Sequence, residues 1–170
     1  MRLRLAIANG RDGQVLPIFA IFLVVLLGFA ALTVDYGSWL KVRRDYQNAA
    51  DAAALAGSGF LTRPISESKR TAARRAAWES LKTQLDLGID PAALDDSNSS
   101  AAGELDAATG YRLWVSTPPI GAGAAYIGAY TSSTSRHLWV QVQKSNQAFF
   151  SRVLGMGDPM ITAFATAGSF

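Results

Sequence analysis

Apolar and polar positions divide the chain into stretches of different period. From Val15 to Val34 the run VLPIFAIFLVVLLGFAALTV holds 20 residues without a charge. At 1.5 Å per residue a helix of that length spans about 30 Å, the thickness of bilayer hydrocarbon. Pro17 falls in the first turn, where its missing N–H breaks no intrahelical bond, so a start near Gln14 is predicted. A cleaved secretory signal would carry an apolar region of only about 7–15 residues ending at a small-x-small site. Here the run meets Asp35, Tyr36 and Trp39 instead, and the aromatics read as an interfacial belt.

Behind the apolar run, residues 37–57 contain no proline and are rich in alanine, the best helix former, and Gly57 and Gly59 offer a stop. The prediction is one rod from Gln14 to Ala56, 43 residues and about 65 Å long. Ala49, Ala50, Ala52, Ala53, Ala54 and Ala56 put almost no side chain between this helix and its neighbour, so backbones can approach closely. That small face either packs under the protein's own sheet or meets a helix of another subunit, and both can hold at different depths. The residues on which membrane and assembly contacts would fall are Phe19, Phe22, Leu26, Gly28, Leu32, Asp35, Ala49, Ala50, Ala53, Ala54 and Gly57. Asp35 is a candidate partner for a basic group of a neighbouring helix at the membrane surface.

The remainder predicts a small α+β domain. Ser66 to Leu87 reads as a second helix, with Ala73, Ala77, Trp78, Leu81 and Leu85 inward and Gly88 as terminator. Its basic residues Lys69, Arg70, Arg74, Arg75 and Lys82 are expected on a solvated face. Residues 89–110 read as loop. Tyr111 to Ser116 and His137 to Lys144 alternate with the period of half-buried strands, and Pro118 and Pro119 stop the first. Residues 121–135 read as a long loop, with room for a short strand. Asn146 caps a short helix ending at Gly155, whose Phe149, Phe150, Val153 and Leu154 would plug the core, and Met160 to Gly168 forms a last strand. The expected layout is a long N-terminal helix packed on a small, mainly antiparallel sheet, with both helices on one face, as in pilins. In domain terms this gives a basic tail at 1–14, a transmembrane helix at 15–34, its extramembrane extension at 35–59 and, on the far side from the tail, a domain at 60–170.

Composition narrows the chemistry. A net charge of +3, spread over three segments rather than gathered beside aromatics, argues against a nucleic-acid partner. With no cysteine there is no disulfide, thiol catalysis or Cys-ligated metal. His137 is the single histidine, at a strand start, so no Ser-His-Asp constellation is in view and no enzyme is expected. Asp95-Asp96-Ser97-Asn98-Ser99 has the DxSxS form of a metal loop. The preceding GIDPAAL is not the buried strand such a loop needs, so solvated loop is expected, with no metal and no cofactor. Basic residues tie across the span, Arg2, Arg4 and Arg11 against Lys41, Arg43 and Arg44, so charge leaves orientation open.

The stretch RRDYQNAADAAALAGS at 43–58, after an apolar span and VDYG at 34–37, resembles the N-terminal segment of TadE/TadG-like Flp pilus-assembly proteins. QAFFSRVLGMGD at 147–158 and the strand ending ATAGS are similar to the end of their short domains. The resemblance implies a component of a tight-adherence pilus assembly and secretion system. It would sit in the cytoplasmic membrane with its N-terminus inside and its domain outside, against the lipid bilayer, other pilus-assembly or pilin-like subunits, or further copies of itself. Relatives with prepilin-like leaders carry glutamate five residues after a glycine. Ile18 stands at that spacing from Gly13, so peptidase cleavage does not carry over. The alternatives are a subunit of an extracellular filament and a membrane-tethered cell-wall binding module or hydrolase, the last of which would need a deep polar cleft around His137.

Overall fold

A computed structural model describes residues 15–88, 104–106, 110–119, 136–148, 150, 152, 155 and 157–169. The expectations for the tail at 1–14, the DxSxS loop and the loop at 121–135 lie outside the described residues. Helix α1 runs uninterrupted over Val15–Ser58, 44 residues and about 66 Å. The expected rod is therefore present from the first described residue and runs two residues longer at its end. Gly57 lies inside the last turn, and Gly59 follows it.

Helix α2 spans Glu67–Leu85 and starts at Ser66, whose hydroxyl accepts from the Lys69 amide at 3.4 Å. It ends before Gly88. Asp86 takes the left-handed conformation (φ 50°), and the Leu87 amide reaches back to the Lys82 carbonyl at 3.1 Å while its side chain is buried. Aspartate tolerates that conformation better than most residues, which is why the stop comes early.

Four strands form an antiparallel sheet in sequential order: β1 (Glu104–Asp106), β2 (Tyr111–Ser116), β3 (His137–Ser145) and β4 (Met160–Gly168). β1 corrects the loop expected at 89–110. Three residues are too few to show alternation, and what makes them a strand is pairing: Asp106 opposes Tyr111 across a hairpin in which Gly110 takes φ 73°. On β2, β3 and β4 the register aligns Leu113, Val142 and Ala163, then Val115, Val140 and Ala165. These rows face the helices, while Trp114, Gln141 and Phe164 line up on the opposite face. Trp139 is on that opposite face too, yet only 1 % exposed.

Both helices lie on one sheet face, so the α+β architecture stands as expected. α1 contributes Tyr46, Ala49, Ala50, Ala53 and Ala54 to the core, α2 contributes Ala73, Ala77, Trp78 and Leu81, and the sheet contributes the aliphatic rows. The edge of β4 is bound to α1 by Gln47, whose Nε2 donates to the Phe164 carbonyl at 2.9 Å and to Asp51 Oδ1 at 3.0 Å. Tyr46 meets Tyr111 edge to face at 5.5 Å, and Lys144 Nζ sits 4.1 Å above the Tyr111 ring. Burial, helped by Tyr111, pushes the Tyr46 hydroxyl pKa well up, which keeps it neutral.

The expected solvated face of α2 needs correction. Arg70 and Arg74 are buried at 5 % and 4 % exposure. They sit at i−3 and i−4 relative to Ala73, Ala77 and Trp78, on the inward stripe itself. Arg70 Nη1 donates to Thr117 Oγ1 at 3.3 Å, and Arg74 Nη2 donates to Glu67 Oε1 at 3.0 Å and Thr71 Oγ1 at 3.1 Å. Burial lowers the Arg70 pKa, partly offset by Glu67.

Two predictions follow from the packing. A Cβ on Gly57 would come 2.6 Å from the Ala73 carbonyl oxygen and 2.8 Å from Leu138 Cδ1, whereas one on Gly59 meets nothing closer than 3.8 Å. Alanine gains about 1 kcal/mol of helix propensity over glycine, but overlap with a backbone oxygen costs about 1–3 kcal/mol. Gly57→Ala should lower the thermal midpoint of the full chain in detergent, and Gly59→Ala should not. His137 has its pKa held below 6.5 by burial first and Arg136 second. The unfolded chain therefore takes up this proton before the folded one, so stability is full above 6.5 and falls as pH drops through the lower folded value. The thermal midpoint should decline between neutral and mildly acidic pH, and His137→Gln should flatten that decline.

Candidate functional site

The chemistry-bearing surface of this chain is the exposed half of α1 and its junction with the folded head. From Val15 to Ala30 every residue is exposed, with Phe19 at 62 %, Phe22 at 59 % and Leu26 at 54 %. An apolar helix bare on all sides is incompatible with water as its only surroundings, since monomeric soluble proteins rarely show contiguous apolar patches beyond a few hundred Å². Gly28 has nothing within 4 Å of where a Cβ would stand, so its surface is open to lipid or to another helix. Leu32 is exposed at 60 % and lines the junction.

The other small residues lie differently. Ala49, Ala50, Ala53 and Ala54 are each at most 1 % exposed, and Gly57 is buried against α2. The small face of the rod is used inside the chain, under its own sheet and second helix. Exposed positions beside it are Asp45, Asn48, Asp51, Leu55 and Ala56.

Asp35 sits where the apolar run ends, and its Oδ2 accepts a hydrogen bond from the Phe150 amide at 2.8 Å. The carboxylate thus has a partner within the chain. Phe150 and Arg152 are helical, and Gly155, the expected stop, takes φ 73° and donates its amide to the Arg152 carbonyl at 3.0 Å. Phe150 corrects the expected core plug: it is 41 % exposed. The other proposed plug residues, Phe149, Val153 and Leu154, lie outside the described residues. Arg152 closes the segment with a two-pronged pair to Asp158, at 2.9 and 2.6 Å, which holds the Asp158 carboxyl below its usual range.

Between the segment and α1 lies a cleft of about 280 Å³, lined by Leu32, Asp35, Tyr36, Trp39, Ala148 and Pro159. Tyr36 and Trp39 stack in tilted fashion at 5.8 Å, and Arg43 lies 5.7 Å from the Trp39 ring centre. A second apolar groove runs along α2, between Phe60 and the Ala72–Ala76 ridge. His137 borders neither cleft. Its ring lies on Gly168, where an added Cβ would come 2.6 Å from Cδ2. Among the described residues no group of three or more His, Asp or Glu could hold a metal.

The model of the putative Flp pilus-assembly TadE/G-like family matches residues 13–79, which take in all of α1 and α2 as far as Glu79. The resemblance carried by residues 43–58 is thereby borne out and extended into α2. The sheet at 104–168 lies beyond the matched residues. No curated protein and no solved structure matches the chain.

The Asp35 contact makes a local prediction. Removing the acceptor in Asp35→Ala leaves the Phe150 amide without its charge-assisted bond, at a cost of about 1 kcal/mol for a half-exposed site. Hydrogen exchange at Phe150 should speed up in the full chain while exchange in β3 stays slow. Asp35→Asn keeps an acceptor oxygen and should fall between. Unchanged exchange at Phe150 in Asp35→Ala would show that the carboxylate does not hold the segment.

Proposed function

We propose that this chain is a single-pass, membrane-anchored component of a tight-adherence, Flp-type pilus assembly. On this reading residues 15–34 cross the cytoplasmic membrane, the tail at 1–14 is cytoplasmic, and residues 35–59 carry the head at 60–170 on the far side. The observation that carries it is the coincidence of the family match at 13–79 with a helix whose first half is apolar and bare and whose second half is built into a fold. Length supports the span, since 20 uncharged residues fill the hydrocarbon layer. Positive charge ties on the two sides, so orientation rests on the resemblance.

The work of the protein on this reading is contact. Phe19, Phe22, Leu26, Gly28 and Leu32 offer the bilayer, or the span of a neighbouring pilus-assembly subunit or second copy, an apolar surface with one open notch at Gly28. Ala49, Ala50, Ala53, Ala54 and Gly57 act indirectly, by locking the head onto the rod so that contacts of the span fix where the head stands.

Because the chain has no cysteine, single-cysteine variants report topology without background. Ser68→Cys, exposed at the start of α2, should react with a membrane-impermeant maleimide in intact spheroplasts, and Ala8→Cys only after permeabilisation. The wild-type chain should stay with membranes through alkaline carbonate. Leu26→Arg, with a centre-of-span cost of about 2.5–3.5 kcal/mol, should weaken membrane retention and surface piliation. Release of the wild-type chain by carbonate, or the reverse labelling pattern, would overturn the reading. Recovery of the chain in sheared extracellular filaments would instead make it a filament subunit.

A further inference from the structure

The head of this protein touches its rod lower than a freely displayed domain would. Asp35 is the first charge after the uncharged run, so if residues 15–34 fill about 30 Å of hydrocarbon, Asp35 marks the boundary. The Phe150 amide is held at that height by its 2.8 Å bond to Asp35. Lower still, Ala31 is 5 % exposed although Ala30 and Leu32 on either side are exposed. Ala31 is three residues below Val34, about 4.5 Å inside the layer. Whatever covers it enters the bilayer with it.

The side chains at this level suit that position. Phe150 at 41 %, Leu32 at 60 % and Tyr36 at 60 % exposure present apolar or amphipathic surface to one zone, with Trp39 half-buried beside them. Asp35 is occupied by the Phe150 amide, and the Arg152 charge is balanced by Asp158. Six residues above Asp35, about 9 Å higher, exposed cations begin: Lys41, Arg43 and Arg44, against a single nearby carboxylate, Asp45. Amphipathic elements that lie in an interface bury their apolar side about 5–10 Å deep and hold their cations at headgroup level.

We propose that Phe150, tied to Asp35, and the neighbouring described residues Ala148, Gly157 and Pro159 that line the cleft on α1 form an interfacial foot, which seats the head in the boundary zone of the leaflet it faces and gathers anionic phospholipid beneath Lys41, Arg43 and Arg44. The inference rests on the membrane-anchor reading and adds a second contact to it. Exposed Leu32 and Tyr36 carry the apolar surface of the span up to the level of Asp35, where the Phe150 amide is bound, and the cations above it select the sign of the lipid. The foot restrains tilt and rotation of the head, because two points of contact hold an attitude that a single helix leaves free.

The test uses the full chain in vesicles of phosphatidylethanolamine and phosphatidylglycerol, and in matched phosphatidylcholine. Fluorophores are placed singly at Gly157→Cys on the foot, where a Cβ meets nothing within 4 Å, at exposed Glu79→Cys on α2, and at Leu23→Cys in the span. A nitroxide near the top of the acyl chain should quench the Gly157 site about twofold more than the Glu79 site, and more in anionic than in zwitterionic vesicles. Phe150→Ser should bring the Gly157 site down towards the Glu79 level. Lys41→Gln with Arg44→Gln should erase the difference between lipids. Equal quenching at the Gly157 and Glu79 sites, with the Leu23 site quenched by a deep nitroxide, overturns the foot and leaves the anchor standing. A Leu23 site that no nitroxide quenches overturns the anchor itself. Quenching at Gly157 that is the same in both lipids overturns the preference for anionic headgroups.

Discussion

Backbone proximity between α1 and α2 is the constraint to which the rest of the structure answers. The Ala73 carbonyl lies so close to Gly57 that no side chain fits between them, and Ala49, Ala50, Ala53 and Ala54 extend the same thin surface down the rod. Small residues allow contact over the length of the helix without a linker, so the head is fastened along α1 rather than hung from its end. The sheet is then fixed by what remains: aliphatic rows on β2 and β3 supply bulk where α1 has none, and the alanines of β4 let the helix lie close. Large residues on one layer meet small ones on the next, the usual means of filling an interior to native density.

The surface of this one helix changes character near Asp35. From Val15 to Ala30 the surface is apolar on all sides and bare. Above Asp35 one stripe is buried, and Lys41, Arg43, Arg44, Asp45 and Asp51 stand among the exposed positions. At that boundary the Asp35 carboxylate is used, accepting from the Phe150 amide. The acid that ends the apolar run therefore also ties residue 150 of the head to the rod.

Much of this was legible in order and little of it in contact. The rod was readable because absence of charge over 20 residues and a run of alanine are strong, local signals. β2, β3 and β4 were readable because alternation is local too. β1 carries no such pattern and exists through its partner, and the early end of α2 depends on one aspartate adopting a left-handed conformation. Arg70 and Arg74 looked solvated because arginine usually is. Their spacing from Ala73, Ala77 and Trp78 already placed them inward, where the hydroxyls of Thr71 and Thr117 and the carboxylate of Glu67 accept from them. The partner of Asp35 lies 115 residues away in sequence, and no periodicity reaches that far.

An uninterrupted helix from Val15 to Ser58 leaves no joint at which the upper part could turn independently of the lower. Under the membrane reading the outer 24 residues form a lever of about 36 Å, and an ordinary helix inclination of about 20° would swing its tip sideways by roughly 12 Å. Local bilayer thickness, which sets how far such a helix leans, would then become a mechanical input that displaces the upper end of the head.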